Sequence, residues 1–449
     1  MNQYLRRIAG PAMMAALLSV AVTLSSQQAP PVNVPGIDKP VVVVTGEITG
    51  TDTWVNTNYY VLRGAVFVRD GGTLNIQAGT QIIGESGSVG TLIVSQGGRL
   101  NAIGTRAQPI VFTSDQPVGQ RGRGDWGGII INGRAPINFG SGSAAGEGDT
   151  GVYGGTNPND NSGVLSYVRV EFSGVEFSPD NELNGIAFQG VGRATQVDHV
   201  QAHMSRDDAL EWFGGTVDGK YIVASNAADD AIDWTFGWSG RLQYATVVQR
   251  GDDGDNGIEA DNNEFNNNAS PRSHPQIYNL TMCGDPDTSE GGESVRAANI
   301  RRGTAFTIRN FLITGFKTTG FQIETTNTAT TGQVDNGTSQ MGAGVAWNIR
   351  NATTGVAGAA MHASVMTYIN SGRFPNVRVN VEPGVSTTAC SNHDNPNLQP
   401  SSVATLAGGQ LAPIQPPNDG FFDAVTFIGA IAPAPADNWM TGWTAFPQR

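Results

Sequence analysis

VFVRDGGTLNIQAG (Val66–Gly79) and LIVSQGGRLNAIG (Leu92–Gly104) are one pattern written twice. Gly71 and Gly72 recur as Gly97 and Gly98, Leu74 as Leu100 and Asn75 as Asn101, each 26 residues on. Apolar residues alternate on both sides of the double glycine, the signature of strand, corner, strand. Two such units at a fixed offset predict the rung of a solenoid.

A second block extends the series. NGIAF at Asn184, DALEW at Asp208, DAIDW at Asp230 and NGIEA at Asn256 align without gaps at offsets of 24, 22 and 26 residues. Strand-like runs precede them: YVRVEF from Tyr167, DHVQAHM from Asp198, YIVAS from Tyr221 and LQYATVVQ from Leu242. Weaker copies follow at Ile277 (IYNLTM) and Phe311 (FLITGF). Short strands with Gly, Asn and Asp corners at this period, without helical periodicity, predict an all-β fold: a parallel β-helix whose inward aliphatics stack in columns. Ile186, Leu210, Ile232 and Ile258 form one such column. A leucine-rich repeat has a similar period but needs regularly spaced leucines that are missing here.

The coil is expected over residues 41–330, with loop-rich final rungs and an irregular C-terminal cap over 331–449. In that last part TTNTATTGQVDNGTSQ (Thr325–Gln340) reads as a surface loop, and AAMHASVMTYINSG (Ala359–Gly372) is the best helical segment. LAPIQPPNDG (Leu411–Gly420) is a Pro-rich connector. Phe421–Phe446 reads as a last strand and an aromatic tail that caps the open end, because an uncovered rung invites edge-to-edge association.

Composition agrees with a strand-and-corner protein. Glycine is abundant (59 of 449) and charge is sparse at 14%, while β-branched residues suit strands and Gly and Asn suit corners. Residues 1–29 read as a secretory signal, with Arg6 and Arg7 before an apolar run from Ala12 to Leu24, and residues 30–40 as a linker. No cysteine follows that run, so no lipid anchor is expected, and no segment of the mature chain is apolar enough to span a membrane. Removing the leader takes away two arginines and no acids, moving the net charge from -13 to -15. Such a surface repels nucleic acid and anionic lipid. It leaves cations, polysaccharide, another surface protein or a second copy of the chain as partners. Export to the cell surface, medium or periplasm permits a disulfide between Cys283 and Cys390; two buried thiols are the alternative.

Further motifs point to a family. WV..NYYVLRG from Trp54, RGDWGGIIINGRAP (Arg123–Pro136), NGIAFQGVG (Asn184–Gly192), DDALEWFGGTVDGKY (Asp207–Tyr221), GDDGDNGIEADNNE (Gly251–Glu264), RRGTA (Arg301–Ala305) and the closing DNW..GWT resemble a family of secreted bacterial right-handed parallel β-helix proteins. The resemblance runs from about Val41 to the C-terminus and lies within the pectin-lyase-like superfold. It implies the fold and leaves the activity open, because function sits in sites grafted on folds.

Stacking the aligned rungs puts Asp207, Asp229 and Asp255 in one column, Asp208, Asp230 and Asn256 in the next, and Glu211, Asp233 and Glu259 in a third. At a spacing of about 5 Å and an effective dielectric near 20, each like-charge contact costs about 3 kcal/mol before screening. Splaying into water, a shared proton or a hard cation would relieve it. Calcium suits six to eight carboxylate and carbonyl oxygens in flexible geometry. The metal candidates are therefore those eight acids together with Asp252 and Asp253, less the two that also suit catalysis, Asp208 and Asp230. The stretch is not an EF-hand, since aligning Gly257 with the invariant glycine puts Gly254 at a ligand position and Asn263 where the bidentate acid belongs. Solvated corner carboxylates that cap turns are the plainer alternative.

The resemblance also implies a catalytic reading, since carbohydrate-active β-helices use paired aspartates, or calcium beside a basic residue, on an outer strand face. Asp208 and Asp230 would be the carboxylate pair, and Arg301, Arg302 or Lys220 the base or charge neutraliser. His199 and His203 alternate with Val200, Ala202 and Met204, which puts them outside the coil and exposed. Trp212, Trp234 and Trp238 are read as inward packing in preference to a sugar platform. The reading favoured by these residues is an exported structural or binding β-helix stabilised by calcium; the alternative is a polysaccharide lyase or glycoside hydrolase acting on the same face.

Overall fold

The repeated double glycine fixes the corner. Gly71 and Gly97 take φ of 79° and 82°, and a Cβ on Gly72 or Gly98 would lie 2.3 Å from the carbonyl oxygen of Ile48 or Val68 in the preceding rung. The first glycine turns the chain and the second lets two rungs approach. The computed structural model describes residues 38–178, 181–287, 291, 293–347, 360–386, 390–401 and 411–449. In it Leu74 lies opposite Leu100 and Asn75 opposite Asn101, and Asn101 Nδ2 donates to Asn75 Oδ1 at 2.9 Å. The signal segment expected over 1–29, and most of the linker, lie outside the described residues.

Strands of successive turns pair in parallel, and 23 of them join into one sheet that coils as a right-handed parallel β-helix. One face stacks Thr91–Val94, Gly128–Asn132, Ile186–Gln189, Leu210–Phe213, Ile232–Thr235 and Ile258–Ala260. Leu92, Ile129, Ile186, Leu210, Ile232 and Ile258 form its inward column, each with no exposed surface. Each contributes roughly 1.5–3 kcal/mol of burial. Trp212 and Trp234 follow them inward and Trp212 stacks on Trp238 at 4.6 Å, so the tryptophans are core, as expected.

The other two faces are joined by strands that bend once, as in Gln196–His203, Gly219–Ser225 and Arg241–Val248. The bend residues Tyr167, His199, Tyr221, Tyr244, Asn279 and Asn310 all have positive φ, between 49° and 61°. That conformation is costly for side chains with a Cβ, and here the rings stack to hold it, at 4.1 Å (Tyr167–His199), 4.3 Å (His199–Tyr221) and 5.0 Å (Tyr221–Tyr244).

Several expectations need correction. The segment read as a surface loop carries a helix, Thr328–Asp335, capped by Asn327, whose side chain accepts from Ala329 N. Its Val334 is fully buried, an anchor that the weak periodicity of the segment hides. The second helix, Ala363–Asn370, falls where expected, with His362 as its cap. Ser364 Oγ accepts from Ile323 N at 3.0 Å, so this helix covers the last strand of the site-bearing stack, Thr319–Ile323.

The C-terminal segment forms no strand among its described residues, and it lies along the side of the coil instead of closing the end. Ile414 O accepts from Asn310 Nδ2 (2.8 Å), Ala445 O from Gln201 Nε2 (2.7 Å) and Thr441 O from Arg106 Nε (2.6 Å). The tail thus crosses several rungs, reaching Arg106 before it returns to Gln201. That course overturns the exposure expected for the histidines. His203 is fully buried, its Nε2 donating to Pro447 O at 2.8 Å and its Nδ1 facing Ser225 Oγ at 2.9 Å. His199 is half-buried in the ring stack, where Asp198 meets its Nδ1 at 2.8 Å. Both point outside the coil; the tail is what covers them. Cys283 and Cys390 form a disulfide across 107 residues. Among the described residues no helix is long and apolar enough to cross a membrane.

Candidate functional site

Period-two alternation sends Leu210, Ile232 and Ile258 inward and Glu211, Asp233 and Glu259 outward, in register with one another. The residues before each strand form the corner. Asp208 Oδ1 accepts from Asp230 N at 2.9 Å, and Asp230 Oδ1 accepts from Asn256 N at 2.6 Å. Each carboxylate in this column thus caps the next rung, as an Asx corner does. The three acidic columns read from the sequence are present in the fold. Oxygens of Asp207, Asp208 and Asp229, of Asp208, Glu211 and Asp233, of Asp229, Asp230 and Asp255, and of Asp230, Asp233 and Glu259 lie within 4.8 Å of one another in each set.

A groove of about 480 Å³ opens over these columns. Among the described residues, ten carboxylates line it against two guanidiniums, those of Arg301 and Arg302. Asp208, Glu211 and Asp230 are 5%, 8% and 3% exposed. Burial first, and then the neighbouring carboxylates, hold Asp208, Glu211, Asp230 and Asp233 well above the usual carboxylate range. Burial and Asp229 push Asp207 up to about 7. Asn184 Nδ2 donates to Glu211 Oε2 at 2.6 Å, whereas Asp233 Oδ1 and Gln189 Oε1 are buried acceptors without a hydrogen-bond donor.

One wall is aromatic. Phe213 and Phe236 follow the acidic strands, and Phe139 packs on Phe236 and Phe265 at 4.6 and 5.5 Å. Asn138 Nδ2 donates to Asn262 Oδ1 and to Pro271 O, each at 2.8 Å, which ties the loop carrying Phe139 to the loop carrying Phe265. At the far end Arg301 pairs with Glu259 and, at 2.9 Å, with Asp261; Arg302 meets Asp261 at 2.6 Å.

A family model described as a pectate-lyase like beta helix domain matches residues 46–389. The chain belongs to this pectate-lyase-like β-helix family. No curated protein and no solved structure matches it. On this pectate-lyase-like coil not every candidate acid reaches the groove. Asp252 is held by Arg123 (3.2 Å) and Arg250 (3.0 Å), and Asp253 by Arg206 (3.1 Å). Lys220 lies in a separate groove, paired with Asp423 at 2.9 Å. Sequence reading missed Asp261, Gln189, Tyr153 and the Phe139 loop. Asp261 was within reach, since it stands two residues beyond Glu259 on the same strand face. Gln189 was within reach as well, since it ends the strand Ile186–Gln189 in register with Phe213; Tyr153 and the Phe139 loop come from the excursion between Asn132 and Gly163, which has no repeated counterpart against which to align.

Proposed function

We propose that this β-helix is an exported structural or binding module whose acidic groove works with a bound divalent cation, calcium by its donor set. The observation that carries the reading is the sets of three carboxylates with oxygens within 4.8 Å of one another. Two oxygens on opposite sides of a calcium ion, each at 2.3–2.6 Å, are separated by about 5 Å at most. The donors are hard oxygens, and among the described residues no cysteine or histidine lines the groove, which disfavours zinc. Without a cation the buried acids must take up protons or repel one another. Export is supported by the leader-like sequence and by the disulfide, a bond that persists in oxidising compartments.

The family and the aromatic wall favour a second reading, a carbohydrate-active enzyme on the same face. Against Asp208 and Asp230 as its acid pair stands their place in the corner: each spends Oδ1 on a backbone N–H of the next rung and is almost fully buried. Phe265, 71% exposed beside the acids, offers a sugar ring an apolar face.

Thermal unfolding in EDTA, followed by calcium titration, tests the first reading. At a concentration 100 times Kd the ion stabilises by about 2.7 kcal/mol, and the gain disappears in an Asp208→Asn, Asp233→Asn variant. A melting temperature indifferent to millimolar calcium would sink it. A polysaccharide panel tests the second: cleavage that survives in Asp208→Asn and Asp230→Asn excludes that pair.

A further inference from the structure

The carboxylates of the groove are not equivalent. At its Arg301 end, the set of Asp230, Asp233 and Glu259 has a cation of its own chain beside it, because Arg301 pairs with Glu259 and its charge also acts on Asp233. At the other end, among the described residues, no Lys, Arg or His forms an ion pair with Asp207, Asp208 or Glu211. Asp233, a member of the set with Asp208 and Glu211, also has a buried Oδ1 without a donor. Gln189 is a second and independent sign of a ligand. It is 2% exposed, it lines the same groove, and its Oε1 finds no donor. A protein leaves such an acceptor unsatisfied only at a cost of about 1–3 kcal/mol. Water carried by a hydrated cation would supply the missing hydrogen bond.

Resting on the reading of the groove as a cation site, we propose that it takes one divalent cation, at Asp208, Glu211 and Asp233, and that Arg301 is the built-in counter-cation of the Glu259 set. The guanidinium thereby limits the ladder to a single external ion and fixes its position along the coil. Asp255 and Glu259 are then not ligands in the native chain, although they continue the same columns. Arg301 holds Glu259 through two anchors, since its Nε also bonds Asp261 at 2.9 Å. A monovalent side chain fixed in this way keeps out a second ion by occupying its oxygens and by repulsion.

Terbium luminescence, with calcium calorimetry beside it, tests the assignment on the full exported chain, each variant first checked for native circular dichroism. The wild type should bind one ion, Glu211→Gln should lose it, and Glu259→Gln should keep it. Arg301→Gln should bind two, and Arg301→Lys, which retains the charge, one. Loss of binding in Glu259→Gln with retention in Glu211→Gln overturns the position. A single ion in Arg301→Gln overturns the role of Arg301 while leaving the cation site intact. Absence of binding in the wild type and every variant overturns the underlying reading itself.

Discussion

At the scale of single residues, the corner column shows how charge and geometry separate. Asp208 and Asp230 act through Oδ1 as acceptors for the next rung, and Asn256 fills the third position of the same column without a charge. Asparagine keeps that oxygen. In EDTA, Asp230→Asn should therefore raise the melting temperature, by relief of repulsion worth on the order of 1 kcal/mol. Asp230→Ala should lower it, because the buried Asn256 N–H loses its acceptor at about 1–3 kcal/mol. Calorimetry of both variants checks the pair; if Asn destabilises as much as Ala, the carboxylate charge itself is required. His203 behaves differently. Burial, opposed by its bond to Pro447 O and helped by nearby arginines, lowers its pKa to about 3 from an ordinary 6.5. The neutral ring is thus favoured in the folded state, and its stabilising effect is fully present above pH 6.5 and is lost as pH falls towards 3. At 1.36 kcal/mol per unit, this amounts to about 2–3 kcal/mol by pH 4.5. The melting temperature of His203→Gln should fall less between pH 7 and 4.5 than that of the wild type.

At the scale of elements, what repeats was legible and what interrupts was not. Leu74 and Leu100, or Glu211 and Asp233, could be aligned because a strand has a strict period of two and each rung must match its neighbours. The same logic gave the inward tryptophans and the three acidic columns. It failed for the helix Thr328–Asp335 and for the Phe139 loop, which pair with nothing of their own kind and are held by long-range contacts such as Asn138 to Asn262. The acids of GDDGDNGIEADNNE divide on the same ground. Glu259 lies in a strand and was placed correctly, while Asp252 and Asp253 lie in a turn whose arginine partners come from distant rungs. The disulfide is another long-range element. Cys283 ends the strand Gln276–Cys283 and Cys390 belongs to the C-terminal third, so the bond closes a loop of 107 residues. Closing a loop of that order restricts the unfolded chain enough to stabilise by about 2–5 kcal/mol. A Cys283→Ser, Cys390→Ser chain should fold with a lower denaturant midpoint and a somewhat steeper slope, since the freed unfolded chain exposes more surface; an unchanged midpoint would mean that the bond adds nothing to stability.

At the scale of the molecule, a coil in which each rung touches only its neighbours has stability that is close to a sum of rungs and interfaces. The C-terminal segment changes that. Through Ile414, Gly429, Thr441 and Ala445 it accepts in turn from Asn310, Asn279, Arg106 and Gln201, side chains of separate rungs, and it lays Trp443, fully buried, across the ring stack at 5.7 Å from both Tyr167 and His199. It fastens rungs that would otherwise open independently. Removing residues 438–449 takes away Trp439, Trp443 and Phe446, whose apolar burial is worth roughly 5 kcal/mol together. The truncated chain should unfold earlier and over a broader range, with faster amide exchange in the strands Gln196–His203 and Gly219–Ser225 than in Leu210–Phe213 on the far face. It should also lose the acid sensitivity assigned to His203, since the ring regains water and its pKa returns towards 6.5. The two readouts stand or fall together. If truncation lowers stability but the acid slope persists, the histidine is buried by the coil and not by the tail.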